Sequence, residues 1–408
     1  LKTRLAAAAV ALAMGTTLAA CGSASTSDGS ADGGSADDAP IKVALIPPTS
    51  GALAQFGTDA ANAWKLAAKM VNADGGVDGH MVEIIEKGTD ADPATTIRVA
   101  KEAVSQDGAK FFGAIMTSPE HAALNAQLAG MGALDFNGLG KDDALIGEQC
   151  VPNAFHVVQS TAMDINALAD SISEMEGDKW AIMAVDYATG HTAADKFTAA
   201  AEAEGKEVVS TQFAPLNTTD FGSYITKIKD SGADAVFAVE YGADGVAFVK
   251  QATQFNLPAQ VKTVLGFNMV SEPLFPVLGD GIAGFYNNVG YDPSGDNELN
   301  TAFKEAWTEE YGTTPYYVAA DNFLAAETLF AGIREAGSIE PDAVAEALND
   351  LTFDSIEGEV TMRGADHQLL RNSYLGQVEG KGDDLAFNII TGSGADVTTP
   401  EANPDCSM

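Results

Sequence analysis

Thr117 and Ser118 stand directly before Pro119-Glu120, at the predicted start of a helix. Hydroxyls and unpaired N–H groups at such a start can hold a carboxylate or another polar group. The same two residues also serve as simple N-caps. Phe56, Tyr187 and Tyr241 offer flat apolar faces in predicted loops, where an aromatic ring is either a ligand contact or a lid on the core. Asp186, Glu240 and Asp321 fall at or near strand ends or helix starts, positions from which an acid can meet an ammonium or an amide, or simply cap a helix.

Covalent and metal chemistry find no support in the sequence. Gly-x-Ser-x-Gly, His-Glu-x-x-His and a phosphate loop ending in Gly-Lys-Ser/Thr are all missing from it. The five histidines (80, 121, 156, 191 and 367) lack metal-ligand spacing. The stretch 72–79 superficially suggests a calcium loop, but lacks the acidic periodicity and the terminal Glu, and reads as a turn. The expectation is a binding protein with no catalytic residues, no cofactor and no metal. With 58 acidic against 22 basic residues, a net charge of −36 disfavours nucleic acid and direct attraction to anionic lipid.

The elements that must position these residues alternate strand and helix. Strands are predicted at 41–46, 81–86, 111–116, 133–137, 180–185, 207–212, 235–239 and 262–265. Helices are predicted at 59–72, 94–106, 162–174, 193–204, 224–231 and 245–255. Such βα alternation implies an α/β fold with parallel sheets flanked by helices, here two successive sets and hence two lobes. After residue 300 the order changes to helices at 301–311, 321–336 and 342–351, then strand-like runs at 359–362 and 373–379. The late strands imply that the chain crosses between lobes more than twice. Ligands of open parallel sheets bind beyond the carboxyl ends of the strands, which selects the loops 49–57, 117–120, 138–143, 186–190, 240–244 and 266–271 as walls of an interlobe cleft.

The N-terminal stretch reads as an export signal. Lys2 and Arg4 precede an apolar run over 5–18, then Leu18-Ala19-Ala20-Cys21. The run is too short to span a membrane, and the junction resembles a lipobox, in which Cys21 would be acylated. Residues 1–20 would be a signal peptide and 21–40, rich in Gly, Ser, Ala and Asp, a flexible acylated tether. Cys150 and Cys406 remain; in an oxidising compartment they form a disulfide, or else stay as two buried thiols.

An ordered series of motifs gives the chain a family likeness. Residues 47–57 include Pro-Thr-Ser-Gly and Leu-Ala-Gln-Phe-Gly, and 71–79 read Val-Asn-Ala-Asp-Gly-Gly-Val-Asp-Gly. Val-Asp-Tyr-Ala-Thr-Gly (185–190), Thr-Asp-Phe-Gly-Ser-Tyr-Ile-Thr-Lys-Ile-Lys (219–229) and Gly-Ala-Asp-Ala-Val-Phe (232–237) follow. Over 41 to about 388 this body resembles the type I periplasmic binding proteins of ABC importers, the Leu/Ile/Val-binding type.

The resemblance implies two Rossmann-like lobes joined by a three-strand hinge. Lobe 1 would comprise 41–157 and 287–352, lobe 2 158–286 and 353–390, followed by a polar tail over 391–408. It implies a monomeric, lipid-anchored catcher of an amino acid or related amide outside the cell membrane, which delivers that solute to an ABC permease and its ATPase. A ligand-sensing receptor module of the same fold is the alternative. Carried over by position, the aromatic contact falls on Phe56, and the carboxylate clamp on Thr117 and Ser118 with the loop holding Gly138 and Gly140. The second-lobe contacts fall on Tyr187, Thr189 and Tyr241. The family's ammonium-clamping acid falls on Asn268. That residue and the loop Gly138-Leu139-Gly140-Lys141 depart from the family pattern. Glu240, at the adjacent strand end, is the candidate replacement acid; an Asn instead suits an amide, urea-like or other neutral solute.

Overall fold

The computed structural model describes residues 39–394, 398–406 and 408. Cys21, the leader and nearly all of the tether lie outside the described residues.

The first lobe begins with β1 (Ile41–Leu45), α1 (Ala54–Ala73), β2 (Val82–Glu86), α2 (Pro93–Glu102), β3 (Phe111–Gly113), α3 (Ser118–Met131), β4 (Leu134–Asn137) and β5 (Ala154–His156). α1 starts five residues earlier than its apolar face suggested, so Phe56 and Gly57 belong to its first turn rather than to a loop. Its buried Ala60, Ala63, Trp64 and Ala67 face the core. The Trp64 ring lies over Gly113, where an added Cβ would come within 2.4 Å of it, so β3 can only end on glycine here. The predicted calcium-like loop is a turn, with Val77 N–H donating to the His80 carbonyl at 2.9 Å.

The second lobe holds α4 (Thr161–Ile172), β6 (Lys179–Val185), α5 (Ala188–Ala203), β7 (Glu207–Ala214), α6 (Gly222–Asp230), β8 (Ala235–Val239), α7 (Gly242–Gln254), β9 (Thr263–Phe267), α8 (Phe275–Leu278) and β10 (Tyr286–Val289). β6 and β8 are buried along nearly their whole length, as strands covered on both faces must be. The chain then returns to the first lobe with α9 (Glu298–Tyr311), α10 (Tyr317–Ala336), α11 (Pro341–Leu348), β11 (Thr352–Ser355), β12 (Gly358–Arg363) and β13 (Gln368–Leu370). It ends in the second lobe with β14 (Ser373–Glu379) and β15 (Ala386–Ser393).

Two mixed, mainly parallel sheets result, with orders β11-β12-β13-β5-β4-β3-β1-β2 and β15-β14-β10-β9-β8-β6-β7. The lobe boundaries expected from sequence therefore move. Residues 353–370 belong to lobe 1, because β11, β12 and β13 run as antiparallel hairpins and β13 pairs with β5 through Gln368 and His156. Residues 287–289 belong to lobe 2, because β10 pairs with both β9 and β14. The three crossings lie at 157–160, 290–297 and 371–372. The tail is tied to the body: Asn166 Nδ2 donates to the Thr398 carbonyl at 2.9 Å, Arg363 Nη1 to the Pro400 carbonyl at 2.6 Å, and Cys406 is bonded to Cys150 with Cα atoms 5.5 Å apart.

Candidate functional site

The strand ends of both sheets face each other across a closed cleft. Ser118 Oγ and Thr189 Oγ1 are 2.8 Å apart across it. Thr192 Oγ1 donates to Asp142 Oδ1 at 2.7 Å, and Lys196 Nζ lies 2.9 Å from Asp143 Oδ2. At the mouth, Ala243 N–H donates to the Ala52 carbonyl at 3.0 Å, and Ala52 N–H donates to Asn217 Oδ1 at 2.8 Å. Gly242 makes this approach possible: its φ is +55°, and a Cβ there would stand 2.4 Å from the Ala52 carbonyl.

Between these contacts lies a small cavity, with room of about 30 Å³ in the closed cleft. Lobe 1 contributes Leu53 and Phe56 from the entry to α1, Met116, Leu139, Lys141 and, from α10, Tyr317. Lobe 2 contributes Tyr187, Thr189, Tyr241 and Asn268. Phe56 meets the Tyr317 ring edge-on at a centroid distance of 6.1 Å. The walls are thus aromatic and aliphatic, with Lys141 the one charged residue among those that line the cavity.

Lys141, carried by lobe 1, is held by lobe 2. Its carbonyl accepts from Thr161 N–H and Oγ1, each at 2.8 Å. Its buried ammonium donates to Asp164 Oδ2 at 2.6 Å, and the other oxygen of Asp164 accepts from Ser373 Oγ at 2.8 Å. With its amide oxygen turned toward Lys141, Asn268 accepts from Nζ at 3.0 Å, the orientation in which both ends of that amide have partners. An ammonium has three donors. Two are thus engaged, and one remains for a solute. Tyr241 lines the same cavity, and its hydroxyl is buried without a hydrogen-bond partner.

Phe56, Tyr187, Thr189, Tyr241 and Asn268 are the sequence-predicted residues that the fold brings to the cavity wall. The others are placed behind it. Thr117 completes a capping box, its hydroxyl donating to Glu120 Oε2 at 2.8 Å, so its side chain is engaged in holding α3. Ser118 joins the lobes rather than facing the cavity, and also accepts from Asp142 N–H at 3.1 Å. Gly138 and Gly140 shape the loop: Asn137 Oδ1 accepts from Leu139 and Gly140 N–H at 3.0 and 2.7 Å. A Cβ on Gly140 would stand 2.7 Å from the His121 ring. Asn268 has φ +50° and donates its N–H to Asn288 Oδ1 at 2.6 Å; it partners Lys141 where an ammonium clamp was expected. Asp186 pairs with His191 at 2.8 Å on the surface, and Asp321 with Arg371 at 2.7 Å in the interior.

Glu240 is wholly buried, and both its carboxyl oxygens lack partners. Burial, reinforced by Asp244, pushes its carboxyl up to about 9, so it is neutral at physiological pH. Burial likewise raises the phenols of Tyr187 and Tyr241, which stay protonated. Among the described residues no group of three or more His, Cys, Asp or Glu is arranged to hold a metal. Sequence reasoning missed Leu53, Met116 and Tyr317; it gave the 138–141 loop a share in the carboxylate clamp but did not single out Leu139 or Lys141. For Lys141 the signal was present, a lone cation following Gly-Leu-Gly at a strand end.

Comparison with known proteins adds the context of this geometry. The profile of the periplasmic binding protein family matches residues 40–383. The Leu/Ile/Val-binding protein homolog 8 of Brucella abortus is 27% identical over 327 residues, covering 77% of this chain and 81% of that one. A solute-binding protein of an ABC transporter from R. palustris, solved in complex with 4-hydroxybenzoate, superposes with a TM-score of 0.79 at 24% identity, covering 90% of this chain and 98% of that one. An amino acid ABC transporter substrate-binding protein from Pseudomonas fluorescens superposes with a TM-score of 0.78 at 22% identity, covering 90% and 99%.

Proposed function

Because this chain belongs to the periplasmic binding protein family, we propose that it captures a small monocarboxylate with a flat or branched apolar body and hands it to an ABC permease. The observation that carries this reading is Lys141, the one charged residue lining a cavity whose other walls are mostly aromatic and aliphatic. A carboxylate takes the free donor of Lys141 and the Tyr241 hydroxyl, while the ring or branched chain packs against Phe56, Tyr187 and Tyr317. A charge-assisted hydrogen bond of this kind contributes about 1.5–3 kcal/mol, or roughly 10- to 100-fold in affinity. The 4-hydroxybenzoate bound by the R. palustris protein has this chemistry.

The protein acts by stoichiometric capture and release, not by turnover. The junction at Cys21 supports acylation, with 22–40 as the tether that keeps a monomeric body at the outer face of the cell membrane. Incorporation of a clickable fatty-acid analogue, lost in Cys21→Ser, tests the anchor.

A second reading, an α-amino acid, is favoured by one observation. The two orphaned oxygens of Glu240 would gain a partner from an α-ammonium, which would also draw the proton off the acid. Isothermal titration with benzoate, benzamide and leucine separates the two. The monocarboxylate reading expects benzoate to bind at least tenfold more tightly than benzamide. Equal affinity for both, or binding of leucine alone, rejects it.

A further inference from the structure

A second cavity, of about 290 Å³, stands at the cleft mouth, on the far side of Phe56. Phe56 lines both cavities and is the wall between them. Tyr317 flanks it on the inner side and Tyr316 on the outer, each ring 6.1 Å from Phe56. Like the inner cavity, this chamber is made by closure: Phe56 and Tyr316 come from lobe 1, and Val246, Ser271 and Leu274 from lobe 2. Its walls are largely apolar. Tyr316 turns its hydroxyl away to Asp59 Oδ2 at 2.7 Å and presents its ring. Ser271 is only 2% exposed, and its hydroxyl has no partner. A buried unpaired hydroxyl costs free energy that a ligand group can recover.

We propose that this mouth chamber is a second subsite, which receives the apolar extension of an elongated monocarboxylate whose head is held on Lys141, with Ser271 meeting an ether, carbonyl or hydroxyl oxygen of that extension. The proposal rests on the monocarboxylate reading above. Rotation of the Phe56 ring joins the chambers, so a solute longer than one ring spans them, and a short one leaves the wall in place.

The test compares benzoate with 4-pentyloxybenzoate by calorimetry on the full chain and on Val246→Trp, which fills the mouth chamber from α7. The expected result is that the long solute binds the unmodified protein at least as tightly as benzoate. Val246→Trp then weakens the long solute at least tenfold and leaves benzoate within twofold. Leu274→Trp fills the chamber from the opposite wall and gives the same pattern should the first variant fold poorly. If the filling variants shift both solutes by one factor, or neither, the second subsite is wrong while the inner site stands. Loss of all benzoate binding by the unmodified protein rejects the monocarboxylate reading and the subsite with it.

Discussion

Arg371 and Gln159 converge on a single carbonyl, that of Gly290, from two different crossings between the lobes. Arg371 Nη2 donates to it at 3.2 Å and Gln159 Nε2 at 2.7 Å. Arg371 also reaches the Val157 carbonyl at 3.4 Å, and Gln159 reaches the Asn372 carbonyl at 2.8 Å. Every crossing is thereby tied to the other two by a buried side chain. The charge of Arg371 is matched by Asp321 at 2.7 Å and by Glu357 Oε2 at 2.9 Å.

Removing that cation strands two buried acids. Arg371→Met is expected to lower unfolding free energy by about 3–5 kcal/mol, the usual cost of breaking a buried pair. Gln159→Leu takes the Gln159 donor from the Asn372 carbonyl and leaves the Gly290 carbonyl to Arg371 alone, and is expected to cost about 1–3 kcal/mol. Urea unfolding of each variant measures both, and Arg371→Met should show the larger loss.

Glu240 makes the unliganded protein less stable as pH rises. Its carboxyl is ordinarily near 4.5 and is pushed up to about 9 in the fold. Between those values the native state keeps a proton that the unfolded chain releases. The group's contribution is complete below the lower value and is lost as pH climbs through the upper one. Glu240→Gln is expected to flatten the fall in unfolding free energy between pH 5 and 9, removing up to about 1.4 kcal/mol per pH unit. Chemical unfolding at four pH values checks the slope; parallel curves for the two proteins would contradict the assignment.

The Cys150–Cys406 disulfide adds a fourth tie between the lobes. β15 lies in the second sheet, whereas Cys150 lies in the first lobe, so the tail returns across the hinge to reach it. On the lobe 1 side Asn403 N–H donates to Asp366 Oδ2 at 3.2 Å. The paired substitution of both cysteines by serine is expected to cost about 2–4 kcal/mol of stability. It should also widen the range of cleft opening seen by small-angle scattering without solute, while a variant cutting only surface ion pairs should not.

Much of the fold could be read from residues with strong local signals. The buried strands β6 and β8 are continuous apolar runs, α9 buries one face through Asn300, Phe303 and Trp307, and α10 is a long apolar run buried nearly all round, so they fall close to where the sequence put them. The short strands β5, β10 and β13 have three or four residues each and carry no such pattern. Their membership is decided by pairing partners distant in sequence, which is why 353–370 were expected in the wrong lobe. At the site, Phe56, Tyr187 and Tyr241, which the sequence offered either as ligand contacts or as lids on the core, all reach the cavity wall. The role of Thr117 was not legible, because an N-cap and a ligand clamp use the same hydroxyl, which Glu120 three residues on engages in a capping box. The positive φ and amide contacts of Asn268 depend on Asn288 and Lys141, which a linear reading does not bring together.

In the proposed complex the Lys141 ammonium holds the carboxylate of the solute. Calorimetric titration of benzoate into Lys141→Met/Asp164→Asn, which leaves no orphaned buried charge, tests it directly, with Asp164→Asn alone as the control that keeps the cation. The double variant is expected to bind benzoate at least 30-fold more weakly than the unmodified protein, and Asp164→Asn no more weakly. A double variant that keeps benzoate affinity within threefold would contradict it.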